Sequence, residues 1–355
     1  MFYIRADANN EIATGHVMRC MSIADEMEQS NIKVCFLTAD HNADVLIKKR
    51  GFEVKCLDSV WNNLENEISE GKLITLLKNT DDLEGIIVDT YYVTENYLQT
   101  LHDICKTIYI DDIFSLKRYP VDFLINYNIY GEDLDYKSRC LPDTEILLET
   151  KYVPLRKEFK NIDKKMREKV KAVFVSTGGT DNYNIAGNLL CEIFEKKNSE
   201  LSKLDFHVVS GAMNKNLSYL LEMEKKYKNI YIHQNVSNMS EIMMKCDIAV
   251  SACGSTMYEL CACGLPIITY SFADNQIPGI RKFVEKGIAL NCGDVRNGLE
   301  KTLNKIIEYV EKLNKDYMLR KQKVKDVSEI IDGNGALRII VEIKNTVSNM
   351  ENSNG

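Results

Sequence analysis

Short apolar runs alternate with longer amphipathic stretches over the first 130 residues. The runs are rich in Val, Ile, Tyr and Phe and are too short for helices, so they predict β-strands. They are FYIRA at 2–6, KVCFLTA at 33–39, FEVKCL at 52–57, GIIVDT at 85–90, TIYIDD at 107–112 and FLINYN at 123–128. Between the first two lies HVMRCMSIADEME, in which Val17, Met21, Ile23 and Ala24 recur at near-helical spacing. Strand, helix and strand in succession predict a parallel sheet with helices on its faces.

The same alternation resumes in the second half of the chain. Its strand runs are KAVFVSTGG at 171–179, DFHVVSG at 205–211, IYIHQN at 230–235, IAVSACG at 248–254, PIITYSF at 266–272 and IALNCG at 288–293. The predicted fold class is therefore α/β, with two Rossmann-like domains whose parallel sheets face a central cleft. Ligands of such sheets bind at the carboxyl ends of the strands.

A charged run without glycine, EFKNIDKKMREKVK at 158–171, interrupts the alternation and predicts a linker. We therefore expect an N-terminal domain at 1–157 and a C-terminal domain at 172–330, followed by a helix at 331–346 and a frayed tail at 347–355. Two domains also fit the length, since 355 residues exceed what one hydrophobic core usually organises.

Composition narrows the class of protein. A formal net charge of −7 argues against a nucleic-acid partner, because neutralising phosphates needs a basic face. The 11 cysteines form no CxxC motif, which favours reduced thiols over a disulfide framework or a zinc knuckle. The chain starts directly with a strand run, and no apolar run approaches membrane-spanning length. We expect a cytoplasmic protein that is not inserted in a membrane and acts on small molecules.

The first stretch that carries chemistry is RADANNEIATGHVMRCMSIA at 5–24, where Gly15 and His16 stand at the entry of the predicted helix. The unpaired amides at a helix start favour an anion and disfavour a cationic imidazole. A neutral histidine is able to accept a proton as a general base. Arg5, Asp7 and Arg19 are close enough in sequence to order the loop. The alternative is a histidine that only bonds the backbone as the loop closes.

The second stretch follows a buried strand, where Gly178 and Gly179 precede Thr180 and Asp181. Paired glycines let backbone amides approach a phosphate at the start of the next helix. The stretch matches neither the GxGxxG pattern nor the P-loop, and a plain tight turn is the alternative.

The third stretch is SACGSTMYELCACGLPIITYSFADNQ at 251–276. Gly254, Ser255 and Thr256 form a small-residue turn at a helix start, and Glu259 follows one helical turn later. Such a carboxylate can bind ribose hydroxyls while the turn amides hold a diphosphate. The alternative is a capping box, in which Glu259 caps its own helix.

Seven motifs in order carry a resemblance to a known family: RADANNEIATGHVMRC, VDTYY, YIDD, LINYN, VPLRKEF, STGGTD and GSTMYE. The chain resembles the UDP-2,4-diacetamido-2,4,6-trideoxy-β-L-altropyranose hydrolases of pseudaminic acid biosynthesis and the related spore-coat polysaccharide proteins, over about residues 1–345. The C-terminal motifs are shared with GT-B glycosyltransferases. This chain has ATGH where family members often have IGxGH, so Ala13 departs from the pattern. The stretch WNNLENEISEGK at 61–72 matches no known motif.

The resemblance implies a GT-B fold in which the N-terminal domain holds the sugar and the C-terminal domain holds UDP. It implies that His16 is the catalytic residue that helps water attack the anomeric carbon, and that Asp89 and Tyr91 face the same site. Asp89 is able to orient His16, but its charge also opposes the effect of the helix dipole. The other predicted site residues bind the substrate: Arg5, Asp7, Gly15, Arg19, Gly178, Gly179, Thr180, Asp181, Gly254, Ser255, Thr256, Glu259, Asn275 and Gln276.

The sequence favours a mechanism without a metal or other cofactor. None of the five histidines has the HExxH spacing or a comparable ligand spacing. Asp111 and Asp112 are adjacent at a strand end, so their side chains should point to opposite faces instead of binding one ion.

Three functions remain open at the level of sequence. The first is a UDP-sugar hydrolase, and the second is a GT-B glycosyltransferase that replaces water with an acceptor. The third is a non-catalytic nucleotide-sugar-binding protein, which would not need His16. The N-terminal domain has no obvious basic or apolar patch of the kind that membrane-associated transferases display, which favours water.

Overall fold

The computed structural model describes residues 1–9, 11–12, 14–196, 200–211 and 213–353, with side chains described as far as residue 345. The chain divides into two compact units. The first unit combines Met1–Arg156 with Asn334–Gly355, and the second is Lys157–Gly333. The predicted linker, 158–171, thus belongs to the second unit.

The described part of the first unit contains a seven-stranded sheet with the order β3-β2-β1-β4-β5-β6-β7, in which every pairing is parallel. Its strands are β1 (Phe2–Ala6), β2 (Val34–Thr38), β3 (Glu53–Cys56), β4 (Gly85–Asp89), β5 (Lys106–Ile110), β6 (Phe123–Ile125) and β7 (Glu145–Leu147). The helices between them are α1 (Gly15–Gln29), α2 (Asp44–Arg50), α3 (Glu65–Ser69), α4 (Lys72–Lys78) and α5 (Glu95–His102). Strands β1, β2 and β4 are buried along their whole length, because helices cover both faces of the sheet.

The described part of the second unit contains a six-stranded parallel sheet with the order β10-β9-β8-β11-β12-β13. Its strands are β8 (Ala172–Ser176), β9 (Asp205–Val209), β10 (Ile230–His233), β11 (Ile248–Ala252), β12 (Ile267–Ser271) and β13 (Ala289–Asp294). Its helices are α6 (Ile185–Leu190), α7 (Leu217–Lys226), α8 (Met239–Lys245), α9 (Thr256–Ala262), α10 (Ile277–Glu285), α11 (Leu299–Lys315) and α12 (Tyr317–Ser328).

The predicted α/β class and all twelve predicted strands are confirmed. Strand β7 was not predicted. It has only three residues at the edge of its sheet, and the last of them alone is fully buried, so it shows no apolar run.

The C-terminal helix α13 (Gly335–Ser353) belongs to the first unit. Arg338 donates a hydrogen bond to the carbonyl of Lys151 (3.0 Å). A Cβ at Gly335 would lie 2.1 Å from the carbonyl oxygen of Val153, so only glycine allows this approach. Residues 347–353, which were expected to form a tail, continue the helix because neither Gly nor Pro follows Gly335 before its end. The last two residues lie outside the described part.

Each sheet has one point where the order of its strands reverses along the chain. It lies between β1 and β4 in the first unit and between β8 and β11 in the second. Parallel α/β sheets bind ligands outside the carboxyl ends of the strands at this switch point. The loops after these four strands are therefore where each unit offers a binding site.

A histidine pair in the second unit gives its stability a dependence on pH. The Nδ1 of His207 lies 3.0 Å from the Nε2 of His233. Burial, and then the nearby charges of His233 and Lys245, lower the pKa of His207 from 6.5 to about 4. The unfolded chain binds this proton below pH 6.5, while the folded protein binds it only near pH 4, so stability decreases as the pH falls through that window.

We expect the second unit to lose about 1–2 kcal/mol of unfolding free energy between pH 7.5 and pH 5. Urea denaturation at the two pH values measures this loss. His207→Asn should remove part of the difference, because burial also lowers the pKa of His233, which remains in the variant. An equal pH dependence in the variant and the wild type would contradict the assignment.

Candidate active site

His16 lies at the switch point of the first unit. It is the second residue of α1, just after the loop that leads from β1 to that helix, and it is 5% exposed. Gly15 is exposed and begins the helix. Among the described residues, the side chain of Thr14 makes no capping hydrogen bond, and the first turn of α1 contains no acidic residue. The amides at this helix start therefore keep the positive potential that suits an anion. Ala13 lies outside the described residues.

Asp89 reaches His16 from the neighbouring strand. It is the last residue of β4, lies opposite Ala6 of β1 in the sheet, and is fully buried. Its Oδ1 is 2.6 Å from the Nδ1 of His16. The Nη2 of Arg19 lies 3.1 Å from the same nitrogen, farther than Asp89. Because the contact with Asp89 is the shorter one and an ionised carboxylate only accepts hydrogen bonds, we assign the proton to Nδ1, which donates to Asp89. This tautomer leaves the Nε2 lone pair of His16 available to accept a proton.

Arg19, one helical turn after His16, holds the carboxylate in place. Its Nε and Nη2 donate to the two oxygens of Asp89 at 2.6 and 2.5 Å, a bidentate pair. Its Nη1 donates to the hydroxyl of Tyr127 (2.6 Å) and lies 2.7 Å from Asp112. Burial alone would raise the pKa of Asp89, but the charge of Arg19 and the contact with His16 outweigh it and lower that pKa. Asp89 is therefore an anion at neutral pH.

Tyr91 packs against the other side of the histidine. Its ring meets that of His16 edge to face, with centroids 4.5 Å apart and an angle of 78° between the planes. Burial and then the charge of Asp112 raise the pKa of its phenol, which stays neutral. With Tyr91 on one side and Asp89 on Nδ1, the imidazole has a fixed orientation. The structure thus brings together four predicted site residues, His16, Arg19, Asp89 and Tyr91.

Asp112 and Tyr127 complete this group, and neither is among the predicted site residues. They belong to the YIDD and LINYN motifs, which begin at the ends of β5 and β6 and continue into the loops after them. Asp111 turns to another environment, since its Oδ2 accepts from the hydroxyls of Tyr119 (2.8 Å) and Tyr136 (2.9 Å). The two adjacent aspartates therefore take part in separate networks.

Arg5 and Asp7 belong to a separate buried ion network of the same unit. Arg5 has no exposed surface and donates to both Asp7 (2.5 Å) and Glu67 (2.6 Å). Asp7 also accepts from the amide of Ala39 (2.7 Å), which fixes the loop after β2. Glu67 further accepts from Tyr97 at 3.0 Å. Arg5 has no exposed surface that a ligand could contact. The arrangement therefore agrees with the alternative in which Arg5 and Asp7 order the loop.

Breaking this network should destabilise the first unit. We expect Glu67→Gln to lower the unfolding free energy by about 2–3 kcal/mol, because a buried guanidinium then loses one of its two anionic partners. Urea denaturation measures the change. The control is Glu70→Gln, since Glu70 is exposed and its ion pair with Lys72 is long (3.8 Å). Equal denaturation midpoints for the two variants would rule out this role.

In the second unit, the glycine pair forms a turn directly after β8. Gly178 has a φ of 84°, a conformation that glycine adopts readily. The backbone of Gly211 packs on this turn so closely that a Cβ there would lie 2.3 Å from the carbonyl oxygen of Gly179. Asp181 is buried and accepts from the amides of Ile185 (2.7 Å) and Ala186 (3.1 Å). Its carboxylate therefore caps α6 in this structure, while Thr180 is half-buried in the loop.

The loop after β11 carries the third stretch. Gly254 and Ser255 are exposed, and α9 begins at Thr256. The side chain of Ser255 makes no capping hydrogen bond among the described residues, so the serine half of the expected capping-box alternative is not formed. Glu259 is half-buried on the same helix. After β12, Asn275 is exposed, and Gln276 accepts from the amide of Phe272 (2.9 Å).

One group of three possible metal ligands occurs in the described part of the chain. Ligand atoms of His41, Cys56 and Asp58 lie within 4.8 Å of one another. His41 lies on the loop after β2, Cys56 is the last residue of β3, and Asp58 follows that strand. The group shares no residue with the His16 site. It was not predicted, because its members come from separate segments and have no recognisable spacing.

The chain is similar to curated relatives at low identity, and no family model matches. An uncharacterized protein of Methanocaldococcus jannaschii, MJ1062, is 28% identical over 283 residues, which is 75% of this chain and 54% of that protein. The UDP-2,4-diacetamido-2,4,6-trideoxy-beta-L-altropyranose hydrolase of Campylobacter jejuni is 24% identical over 72% of this chain and 85% of its own length. The spore coat polysaccharide biosynthesis protein SpsG of Bacillus subtilis is 22% identical over 95% of each chain.

Solved structures establish the fold. The MnaA–UDP structure from S. aureus superposes with a TM-score of 0.65 at 10% identity, covering 98% of this chain and 97% of that one. MurG from Acinetobacter baumannii superposes with a TM-score of 0.62 at 10% identity, covering 97% and 99%. The fold is thus α/β and GT-B-like. No helix among the described residues combines the length and apolar character needed to cross a membrane.

Proposed function

We propose that this protein hydrolyses a UDP-sugar, with UDP-2,4-diacetamido-2,4,6-trideoxy-β-L-altropyranose as the substrate and His16 as the general base. The observation that carries the proposal is the hydrogen bond of 2.6 Å between the Nδ1 of His16 and Asp89. It leaves Nε2 available at the carboxyl edge of the sheet, where α/β proteins bind ligands. The relative from C. jejuni carries the name of this hydrolase, which supports the choice of substrate.

In the proposed reaction, Nε2 of His16 accepts a proton from water as the water oxygen forms a bond to the anomeric carbon. The bond between that carbon and the phosphate oxygen breaks, and its electron pair leaves with UDP. The negative charge of Asp89 stabilises the imidazolium that forms, while Arg19 keeps Asp89 in place. The proton then returns to solvent.

The second unit would bind UDP through its two switch-point loops. Backbone amides of Gly178, Gly179 and Thr180 are suited to the diphosphate, together with Gly254, Ser255 and Thr256, while Glu259 is suited to the ribose hydroxyls. Asn275 and Gln276 would contact the phosphate or the sugar. Asp181 would act by holding its loop against α6, since its carboxylate accepts hydrogen bonds from two helix amides.

All eleven cysteines are free thiols, which supports a reducing compartment such as the cytoplasm.

The experiment measures UDP release from purified protein given this substrate, with EDTA present and no acceptor. We expect release by the wild type and its loss in His16→Ala. Release that needs an added sugar or lipid acceptor would instead favour a glycosyltransferase, the function of several structural neighbours by name. Substrate binding without any turnover, in either protein, would favour a non-catalytic binding protein.

A further inference from the structure

The thiol of Cys20 makes a contact with Asp89 to which the proposed reaction assigns no part. Its Sγ lies 3.3 Å from the Oδ2 of Asp89, and both side chains are fully buried. Cys20 stands four residues after His16 and next to Arg19 on α1. Residues three and four apart lie on one face of a helix. His16, Arg19 and Cys20 therefore approach the same carboxylate from one helix face.

The thiol is the donor in this contact. Asp89 is an anion at neutral pH, and an ionised carboxylate only accepts hydrogen bonds. Burial, and then the charge of Asp89, raise the pKa of the Cys20 thiol well above its ordinary value of 9.0. The charge of Arg19 acts in the opposite direction but is outweighed. Cys20 therefore keeps its proton, and its Sγ donates to Oδ2.

The donors around Asp89 divide between its two oxygens. Oδ1 accepts from the Nδ1 of His16 and the Nη2 of Arg19. Oδ2 accepts from the Nε of Arg19 and the Sγ of Cys20. A rotation of the carboxylate would break contacts on both oxygens. Because a thiol is a weak donor, Cys20 helps to fix Oδ2 while withdrawing little of the negative charge that stabilises an imidazolium.

Other ionisable groups surround this carboxylate in the described part of the unit. Two are charged, Arg19 and Asp112, and they contact each other at 2.7 Å. The others are phenols whose pKa is raised by burial, so that they stay neutral at ordinary pH: Tyr91, Tyr109 and Tyr127. A change in the titration of His16 therefore reports on Asp89 and on the donors that hold it.

We propose that Cys20 is a positioning residue for His16, and that its thiol holds Oδ2 of Asp89 so that Oδ1 stays on the Nδ1 of the imidazole. The inference rests on the proposed function, since the contact affects turnover only if His16 accepts the proton of water. Without the thiol, Asp89 is held less firmly, and more of its charge is available to stabilise a protonated histidine. A protonated histidine is no longer a base. Cys20 has no exposed surface, so it acts without contacting the substrate.

The first experiment measures UDP release as a function of pH in three variants. Cys20→Ala removes the donor, and Cys20→Val removes it while filling the space. We expect both to move the acidic limb of the kcat/KM profile up by about half a pH unit and to lower kcat about three- to tenfold, with KM within about twofold. Cys20→Ser supplies a hydroxyl donor and should restore the wild-type profile. Equal shifts in all three variants, or none in the first two, would overturn the inference.

A matched control is Cys35→Ala. Cys35 is also fully buried in the first unit, on β2, and its thiol lies 3.6 Å from the carbonyl oxygen of Phe36. It removes a buried thiol without touching Asp89, so we expect its acidic limb to coincide with that of the wild type. A shift as large as that of Cys20→Ala would mean that any buried cavity in this unit has the same effect, and it would overturn the inference.

The second experiment needs no turnover. Protein labelled with ¹⁵N-histidine is titrated by nuclear magnetic resonance without substrate, and the His16 signals are identified by their absence from the His16→Ala spectrum. Cys20→Ala should move the midpoint of the His16 titration up by about half a pH unit, and Cys35→Ala should not move it. An unchanged midpoint in Cys20→Ala would overturn the inference and leave the hydrolase proposal intact. A moved midpoint in a protein whose wild type releases no UDP would support the link between Cys20 and His16 and overturn the proposed function instead.

Discussion

Replacing His16 with alanine should lower the rate of UDP release by about a thousandfold, because general base catalysis contributes about 10²–10⁴-fold. Affinity for UDP should stay within about twofold, since UDP is expected to bind loops of the second unit, and the helix amides near residue 16 remain. His16→Phe should have the same effect on turnover, because a phenyl ring fills the site without a base. Initial rates and calorimetry with UDP measure the two quantities.

A matched control for this prediction is His41→Ala. His41 belongs to the same unit but is not part of the His16 group, and its side chain is 73% exposed. We expect its turnover to remain within about twofold of the wild type. Near-normal turnover in His16→Ala would refute the role of this residue, and equal losses in the two variants would point to a general effect on the fold.

Asp89→Asn should affect both catalysis and stability. An amide in place of the carboxylate no longer selects the Nδ1–H tautomer and no longer stabilises an imidazolium, so we expect kcat to fall about 10²–10³-fold with little change in KM. The substitution also leaves Arg19 with Asp112 as its one remaining anionic partner described here. Losing an anion from a buried pair should cost about 3–4 kcal/mol of unfolding free energy.

The control for Asp89→Asn is Asp25→Asn, which breaks the Arg–Asp pair between Arg50 and Asp25 nearer the surface of the same unit. We expect it to change stability by less than about 1 kcal/mol. Similar losses in urea denaturation for both variants would contradict a special role for Asp89. Because the pKa of Asp89 is lowered in the folded state, its stabilising contribution holds above pH 3.8 and is lost only in stronger acid.

The sequence predicted the sheets well, because buried parallel strands are continuous apolar runs bounded by polar loops. The order of the strands was not predicted, and this order assembles the candidate site. Asp112 and Tyr127 approach Arg19 only because β5 and β6 continue the sheet beyond β4. The sequence alone does not show that motifs at the ends of different strands lie close together, because this depends on the order of the strands in the sheet.

Buried ion networks were the harder part to predict. Arg5 belongs to an apolar strand run, and nothing in that run shows that its partner is Glu67, 62 positions along the chain. Asp181 likewise stands in a glycine turn of the kind that binds phosphates, but its carboxylate satisfies two helix amides. A short polar side chain at a helix start can either cap the helix or bind a ligand, and the sequence looks the same in both cases. Only the geometry of its hydrogen bonds distinguishes the two roles.

The most direct test of the proposed reaction follows the oxygen atom of water. The hydrolysis is run in H₂¹⁸O with UDP-2,4-diacetamido-2,4,6-trideoxy-β-L-altropyranose, and each product is analysed at once by mass spectrometry. Attack at the anomeric carbon predicts one ¹⁸O atom in the sugar and none in UDP. Label in UDP would mean that water attacks phosphorus, and it would contradict the role given to His16.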